Sequence, residues 1–517
     1  MAKKKQVIQS GVWQILNAIV KTASHFVFYA LMARLLPNAK AELGIFAILN
    51  SFMNIGNILG DGGMGDAILQ RKDPEKGHIN AAFFSGFLLS GIIFITLLIA
   101  APFIADFYKE PRLTSSLRTF SLMFLFASGG VVSLNLLQKN FKFRKIFFGD
   151  GVFLVASNIV GILMAWQGMD FMAIVYSQLL YYAARMILFL LAAPIPLKHG
   201  FNKQQWREMF NYGGGLTLIR TNNYIANFGI VLEVGKLISQ SLLGVFDRTY
   251  RIMNIPQRFL YDTVQRVMMP AMVSKMGGNK GVYNVFEKTM SLMNTIMVPL
   301  TFFLIVFTKP IIIILLGPKW VDANTILLMQ ICFLSLPMRM SSSLGDTLMR
   351  VYNLIKINLI RKMINSIAIL IFIYIGYIVN GLIGIGWAIF ASTILSYIQM
   401  ILVIRKRIYP NEWRGLIIKP FFNGFKITLF WIVPTAILGF LLNLVLQSDI
   451  ITFGLVSSIL GVVMAIAFLK KPALLTSDIE YIQDDLISMF KKGKKKNKKG
   501  NKKTGESAFE NKMDTIE

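Results

Sequence analysis

The sequence predicts an all-α polytopic membrane protein with about fourteen transmembrane helices. Of its 517 residues, 55% are hydrophobic, and the mean hydropathy is +0.58, which is more apolar than a soluble protein could cover with polar surface. Apolar runs of roughly 20 residues, long enough to cross a bilayer, recur between residues 11 and 469. Runs such as 87–101 and 364–378 are apolar on every face, which favours helices over the alternating strands of a barrel.

Basic residues sort by side of the membrane. Alternate connections between the apolar runs carry Lys and Arg, for example at 3–5, 142–145 and 405–407, whereas the opposite connections are nearly bare. The positive-inside rule therefore predicts that both termini are cytoplasmic. The net charge of +28 follows from these loops and from the C-terminal tail, so no nucleic-acid partner is expected.

The C-terminal segment 473–517 is predicted to be a disordered, basic, cytoplasmic tail. Its stretch 491–503 is mostly lysine and too poor in apolar residues to fold. Anionic membrane lipids are its natural partner, because each basic residue near an anionic leaflet contributes about 1 kcal/mol of attraction. A solubilising tail with no specific partner is the alternative.

Cofactor chemistry is not expected. The single cysteine, Cys332, rules out an intramolecular disulfide, and with three scattered histidines it offers no zinc or haem spacing. A membrane-embedded glycosyltransferase or polymerase would need a sizeable catalytic loop outside the bilayer, and the outer connections are short turns. The sequence therefore predicts neither catalytic residues nor a metal site.

An internal repeat divides most of the chain. The segment LGIFAILNSFMNI from Leu43 returns as LGVFDRTYRIMNI from Leu243, with Leu, Gly, Phe, Met, Asn and Ile in register. The repeat predicts two homologous six-helix lobes, 1–200 and 201–407, followed by two C-terminal helices within 408–472. Because both copies start from the same side, the lobes are related by an axis along the membrane normal, and the substrate path is expected between them.

Charged and polar residues interrupt four apolar spans. An intramembrane charge costs at least ~2.5–3.5 kcal/mol on insertion scales, so it should face a bundle interior or an aqueous cavity. In the first and eighth spans the polar residues fall within an arc of about 100°, and those of the seventh and tenth spans form similar one-sided stripes. The predicted cavity residues are Lys21, His25, Arg220, Asn223, Asn227, Arg248, Arg251, Arg258, Asp262, Arg339 and Asp346.

Cations outnumber acids on these faces, and a cavity lined in this way attracts diphosphate or acidic sugars and repels cationic drugs. Lys21 and Arg220 have no acidic neighbour one turn away, which favours a cavity role over a structural one. Asp247 with Arg251, and Asp262 with Arg258 or Arg266, are alternatively pairs that lock helices together. His25 is either a proton acceptor or a hydrogen-bonded structural histidine.

Several short motifs resemble a known group of transporters. They are Ser10-Gly11-Val12-Trp13, Leu43-Gly44-Ile45-Phe46, the segment GDAILQRKD from Gly65, Leu136-Leu137-Gln138-Lys139 and Phe141-Lys142-Phe143-Arg144. Over residues 7–470 the chain resembles the polysaccharide flippases of the multidrug/oligosaccharidyl-lipid/polysaccharide exporter superfamily, especially the WzxC-like branch.

The resemblance implies an N-lobe and a C-lobe that enclose a central cavity and open it alternately to each side. It implies transport of undecaprenyl diphosphate-linked oligosaccharides outward across the bacterial inner membrane, as in O-antigen and lipopolysaccharide biosynthesis. It also implies partnership with polysaccharide polymerase and export proteins, with a proton or sodium as the candidate coupling ion.

Three alternatives stay open. A peptidoglycan-precursor (lipid II) flippase would move a similar lipid diphosphate through a similar cavity. A drug/cation antiporter of the same superfamily would need a carboxylate in the first or seventh span, where Lys21 and Arg220 stand. A membrane scaffold would need no aligned intramembrane cations.

Overall fold

The computed structural model describes residues 2–71, 74–196, 204–208, 210, 214, 217, 229–275, 279–410 and 419–470. Within these ranges the secondary structure is helical throughout and contains no strand. Ten of the helices there are long and apolar enough to cross a membrane, judged by length and composition. The prediction of an all-α polytopic membrane protein is confirmed.

The helices, labelled in chain order, have the following bounds. They are α1 Ala2–Leu35, α2 Ala39–Asp61, α3 Met64–Gln70, α4 Lys76–Tyr108, α5 Arg112–Lys139, α6 Phe143–Ile146, α7 Phe153–Trp166, α8 Met172–Ala192, α9 Gln240–Val273, α10 Asn279–Val306, α11 Thr308–Leu315, α12 Ala323–Leu334, α13 Leu336–Val351, α14 Ile355–Arg407, α15 Lys419–Ile427, α16 Val433–Leu446 and α17 Asp449–Lys470. Two π-helical turns, Phe147–Val152 and Thr428–Ile432, join α6 to α7 and α15 to α16.

The ten candidate spans, the second leg of α14 and the helices α9 and α17 together supply thirteen of the predicted crossings, which number about fourteen. Helix α14 is 53 residues long, but its backbone is non-helical at Asn380 and Gly381, so it comprises two spanning legs. Helix α9 is 34 residues long and carries more charge than an apolar span allows. Most of the seventh span, predicted at residues 208–236, lies outside the described residues, as does the predicted tail 473–517.

The chain divides into two compact units. The first comprises residues 1–254, 311–332 and 359–392, and the second comprises 255–310, 333–358 and 393–517. Within the first unit α5 packs between α4 and α8, and within the second unit α10 packs on α13 and α15. The lobe boundaries predicted from the repeat rest on sequence similarity and stay predictions.

The two glycines of the repeat meet each other inside the first unit. A Cβ atom on Gly44 would lie 1.9 Å from the Gln240 carbonyl oxygen and 2.9 Å from the Gly244 nitrogen. A Cβ atom on Gly244 would lie 1.8 Å from the Lys40 carbonyl oxygen and 3.1 Å from the Gly44 nitrogen. Because Lys40 and Gln240 are also repeat-related positions, the contact is reciprocal, and only glycine at both positions allows α2 and α9 to approach this closely.

Further contacts of the first unit tie α1 and its following turn to residues 311–332. The Trp320 indole donates a hydrogen bond to the Ala33 carbonyl at 2.9 Å. The Arg34 guanidinium donates to carbonyls at the C-terminal end of α11, where a cation is favoured. The Lys40 ammonium pairs with Asp322 at 2.7 Å. By the predicted topology Lys40 lies on the outer side, where the positive-inside rule disfavours cations. Its ion pair with Asp322 accounts for this exception.

Candidate functional site

Lys21 is the first predicted cavity residue with a charged partner. It lies in the middle of α1, and its Nζ atom is 2.8 Å from Oδ2 of Asp150. The Lys21 side chain is 33% exposed and that of Asp150 is 8% exposed. The pair therefore joins a buried carboxylate to a cation that stays partly accessible.

A π-helical turn positions Asp150. The turn Phe147–Val152 has the sequence FFGDGV, and Asp150 lies between two glycines. A Cβ atom at Gly149 would clash with the Phe189 ring at 2.3 Å, and one at Gly151 would lie 2.9 Å from Oδ1 of Asn17. The two glycines thus let the turn pack tightly against α1 and α8. A π-turn of this kind is frequent at functional sites.

Two residues of α8 complete the surroundings of Asp150. The Tyr181 hydroxyl donates a hydrogen bond to Oδ1 at 2.7 Å. The Nε atom of Arg185 lies 2.8 Å from the same oxygen, which is an ion-pair distance, although its N–H is not aligned for a hydrogen bond. The Arg185 guanidinium also lies over the Phe189 ring at 5.4 Å. Asp150 therefore holds two cations, of which Arg185 is the more buried at 18% exposure.

Asp247 in α9 has a similar arrangement. Its side chain is 2% exposed, and its Oδ2 accepts a hydrogen bond from Nη2 of Arg248 at 2.7 Å. Arg251, one turn further along the helix, donates from Nε to both carboxylate oxygens at 2.9 Å. Arg248 is 4% exposed and Arg251 is 34% exposed, so one cation is again buried while the other is half-exposed.

Tyr29 of α1 connects these residues. Its ring lies 6.3 Å from that of His25 in a stacked arrangement. The Arg248 guanidinium lies over the same ring at 4.8 Å, a cation–π distance. The Gln178 amide donates to the Tyr29 hydroxyl at 3.3 Å. Lys21, His25 and Tyr29 follow one another at four-residue intervals on one face of α1. We call the ion pairs of Asp150 and Asp247 beside this face, together with His25 and Tyr29, the charged cluster.

This cluster is positively charged. Its four basic residues, Lys21, Arg185, Arg248 and Arg251, outnumber its two carboxylates by two charges with His25 neutral. Positive charge inside a low-dielectric membrane protein attracts anions far more strongly than it would in water. In the described part of the chain, no group of three or more His, Cys, Asp or Glu residues is placed to hold a metal ion.

The second unit holds the other described site residues. Arg258 and Asp262 are exposed on α9, whereas Arg339 and Asp346 are half-buried on α13. Neutral hydrogen bonds join the two helices, from Gln257 to Ser343 at 3.1 Å and between Tyr261 and Thr347 at 3.1 Å. Arg350 donates to Tyr261 and Thr347 at the end of this contact.

Sequence reasoning found only part of the cluster. The prediction that Lys21 lacks an acidic neighbour holds on α1 itself, but the structure supplies Asp150 from another helix. Asp247 and Arg251 form the ion pair that the structural alternative expected, and both residues lie on α9. Asp150 and Arg185 were missed, although a carboxylate between glycines and a lone arginine in apolar spans were available signals. Arg220, Asn223 and Asn227 lie outside the described residues.

Comparison with known proteins places this fold among membrane transporters and proteins of polysaccharide synthesis. A family model described as polysaccharide biosynthesis protein matches residues 31–325. The lipopolysaccharide biosynthesis protein WzxC of Escherichia coli strain K12 is 22% identical over 468 residues, covering 87% of this chain and 90% of that protein.

Two solved structures share the fold. The lipid II flippase MurJ, in an inward closed conformation, aligns with a TM-score of 0.63 at 15% identity and covers 88% of this chain and 100% of that chain. An inward-facing multidrug resistance transporter of the MATE family aligns with a TM-score of 0.62 at 14% identity. The alignment covers 75% of this chain and 94% of that chain. The MATE transporter belongs to the MOP superfamily, the group that the sequence motifs resemble.

Proposed function

This chain belongs to the polysaccharide biosynthesis protein family, and from that premise we propose that it is a flippase for undecaprenyl diphosphate-linked oligosaccharides. It is a membrane transporter and not an enzyme, in keeping with its relatives and fold neighbours. The substrate is carried from the cytoplasmic to the outer side of the bacterial inner membrane by alternating access through a cationic central cavity. The N- and C-termini are cytoplasmic.

The observation that carries this proposal is the charged cluster of the first unit. A chain that only anchored other proteins would have no use for four basic residues within apolar helices, because each intramembrane charge is costly. A lipid-linked diphosphate, in contrast, must leave the aqueous headgroup layer, and cations along its path replace the lost hydration. The half-exposed Lys21 and Arg251 are placed to contact it.

Partners follow from the same proposal. The oligosaccharide is delivered to polysaccharide polymerase and export proteins on the outer side, as O-antigen or exopolysaccharide units would be. Membrane lipids surround the helices, and a proton or sodium ion is the candidate coupling ion. Arg220, Asn223 and Asn227, from the predicted seventh span, and Arg258, Asp262, Arg339 and Asp346 complete the proposed cavity.

The test is transport in proteoliposomes. A fluorescent undecaprenyl diphosphate-linked oligosaccharide is placed in one leaflet, and its appearance in the other is followed with and without the protein. We expect the intact chain to move the lipid, and Lys21→Ala or Arg251→Ala to slow it about tenfold or more, the scale of one charge-assisted hydrogen bond.

Lys406→Ala is the matched control, because Lys406 is an exposed cation near the cytoplasmic end of α14 and lies outside the cluster. It should keep the rate of the intact chain. Transport of lipid II, measured in parallel, distinguishes this proposal from the alternative of a peptidoglycan-precursor flippase. If the intact chain moved no lipid-linked glycan, or only lipid II, the proposal would be wrong.

A further inference from the structure

Two of the short sequence motifs come together at the predicted cytoplasmic side. Lys139, the last residue of the motif at 136–139, donates from Nζ to the carbonyl oxygens of Ile68 and Arg71. Both acceptors belong to the motif GDAILQRKD, at the C-terminal end of α3. A lysine is favoured there, because the last carbonyls of a helix have no partner within it. Lys139 thereby fixes the backbone at Arg71.

The Arg71 side chain contacts two residues. Its Nη1 lies 2.6 Å from Nε2 of His78, and its Nη2 pairs with Oε2 of Glu208. A guanidinium only donates hydrogen bonds, so His78 accepts this one on Nε2. His78 is 4% exposed and lies at the start of α4. It therefore holds the Arg71 guanidinium in the orientation that reaches Glu208.

Glu208 belongs to the helical stretch 204–208, which we call the connector. It follows the boundary between the predicted lobes, 1–200 and 201–407, and leads into the predicted seventh span. A second contact holds it, in which the Gln205 amide donates to Oε2 of Glu75 at 2.7 Å. A Cβ atom on Gly77 would lie 2.0 Å from Oε1 of Gln205, so only glycine lets the connector lie this close to α4. Two polar contacts thus attach the connector to the first lobe.

Both attachments reach the surface. The exposed fraction is 36% for the Arg71 side chain, 42% for that of Glu208 and 71% for that of Glu75. Contacts between exposed charged and polar side chains contribute little net stability, because water replaces them readily. The connector can therefore leave the first lobe at little cost. Arg71 itself stays in place through Lys139 and the buried His78.

From this arrangement we infer that Arg71 and the connector form a latch that opens and closes during the transport cycle. The inference rests on the proposed function, because alternating access requires the two lobes to move relative to each other. The connector lies where the chain passes from one predicted lobe to the other. Holding it on the first lobe fixes the start of the seventh span, and releasing it lets that span move with the second lobe. Arg71 is a positioning residue that acts through Glu208.

A reversible cross-link tests whether the latch must open. In a Cys332→Ala background, Glu75→Cys and Gln205→Cys place two thiols where these side chains meet. A bis-methanethiosulfonate reagent joins the thiols, and the protein is reconstituted for the transport assay. Trapping one state should slow translocation about tenfold or more, and a reducing agent should restore it. Each single-cysteine variant, treated with the same reagent, is the matched control and should keep its rate.

A second measurement tests the latch without transport. In the Cys332→Ala background, Gln205→Cys is labelled by a membrane-impermeant maleimide from the cytoplasmic side, in inside-out membrane vesicles. Arg71→Ala should raise the labelling rate about fivefold, the scale of one lost surface ion pair. Arg71→Glu combined with Glu208→Arg reverses the pair and should bring the rate back toward that of the background. Lys145→Ala removes another exposed cation from the predicted cytoplasmic side and should leave the rate unchanged.

The possible failures are distinct. If the intact chain moves no lipid-linked glycan, the proposed function is wrong, and the labelling rates still decide whether Arg71 holds the connector. If the cross-linked protein transports as fast as its controls, the connector stays attached throughout the cycle and the inference is overturned. Equal labelling in Arg71→Ala and Lys145→Ala also overturns it, because Arg71 would then not hold the connector. Unfolded variants are recognised because they lose the monodisperse profile of the intact chain in detergent.

Discussion

Asp150 and Lys21 form one ion pair but contribute differently to it. Asp150 is almost fully buried and has two hydrogen-bond donors, Lys21 and Tyr181, and a second cation, Arg185, around its two oxygen atoms. A third of the Lys21 side chain, in contrast, is exposed. Removing the carboxylate leaves Arg185 as a buried charge without its counter-ion. Removing Lys21 leaves Asp150 with Arg185 and Tyr181. Within this ion pair Asp150 therefore has a structural role, whereas Lys21 is available to a ligand.

We expect Asp150→Ala to lower the free energy of unfolding by about 3–5 kcal/mol, the cost of breaking a buried ion pair by removing one partner. Lys21→Ala should cost about 1 kcal/mol or less, because its charge is partly solvated. Unfolding by SDS titration in detergent micelles measures both. Equal losses for the two variants would contradict the assignment of separate roles.

Asp322, on the predicted outer side, is expected to make the stability of the protein depend on pH. Burial opposes its ionisation, but the Lys40 ammonium and the backbone N–H and hydroxyl of Thr325 hold the pKa of Asp322 below its usual value. A carboxylate with a lowered pKa in the folded state stabilises the protein above its unfolded pKa of about 3.9 and loses this effect as the pH falls. Asp322→Asn should therefore melt at a lower temperature than the intact chain at pH 7, with the difference shrinking below about pH 4. A difference independent of pH would contradict this.

At the scale of helices, the crossing of α2 and α9 depends on two glycines. The sequence repeat placed Gly44 and Gly244 at equivalent positions, and the structure brings them into reciprocal contact. Helices that approach through glycines gain close backbone packing, which is the main attraction between helices in lipid. This crossing is therefore a sensitive point of the first unit.

Gly44→Ala should lower the free energy of unfolding by about 1–3 kcal/mol, because the added Cβ atom would lie 1.9 Å from the Gln240 carbonyl oxygen and force the helices apart. Gly91→Ala in α4 is the matched control, since nothing lies within 4 Å of its added Cβ atom. That change should be neutral or stabilising by up to about 1 kcal/mol through helix propensity. Thermal melting in detergent compares them, and equal shifts would show that the crossing is not tight.

At the scale of the whole molecule, the predicted topology can be tested with the single native cysteine removed. In a Cys332→Ala background, Gln167→Cys places a thiol in an exposed turn on the predicted outer side, and Lys406→Cys places one on the predicted cytoplasmic side. A membrane-impermeant maleimide should label Gln167→Cys in intact cells, with the outer membrane permeabilised where there is one. It should label Lys406→Cys only after the inner membrane is broken. The reverse pattern would invert the topology.

The sequence by itself determined the fold class, because long apolar runs leave helices as the only way to satisfy the backbone in lipid. It also singled out Lys21, Arg248 and Arg251 as intramembrane cations, since such charges are costly in lipid, but it missed Arg185. Helical periodicity, however, reports only neighbours on the same helix. The partnership of Lys21 with Asp150 and Arg185, and the link through Tyr29 to Arg248, join residues far apart in the chain. Only the tertiary structure decided these contacts, because they depend on how a π-helical turn and two glycines let α1, α8 and Asp150 come together.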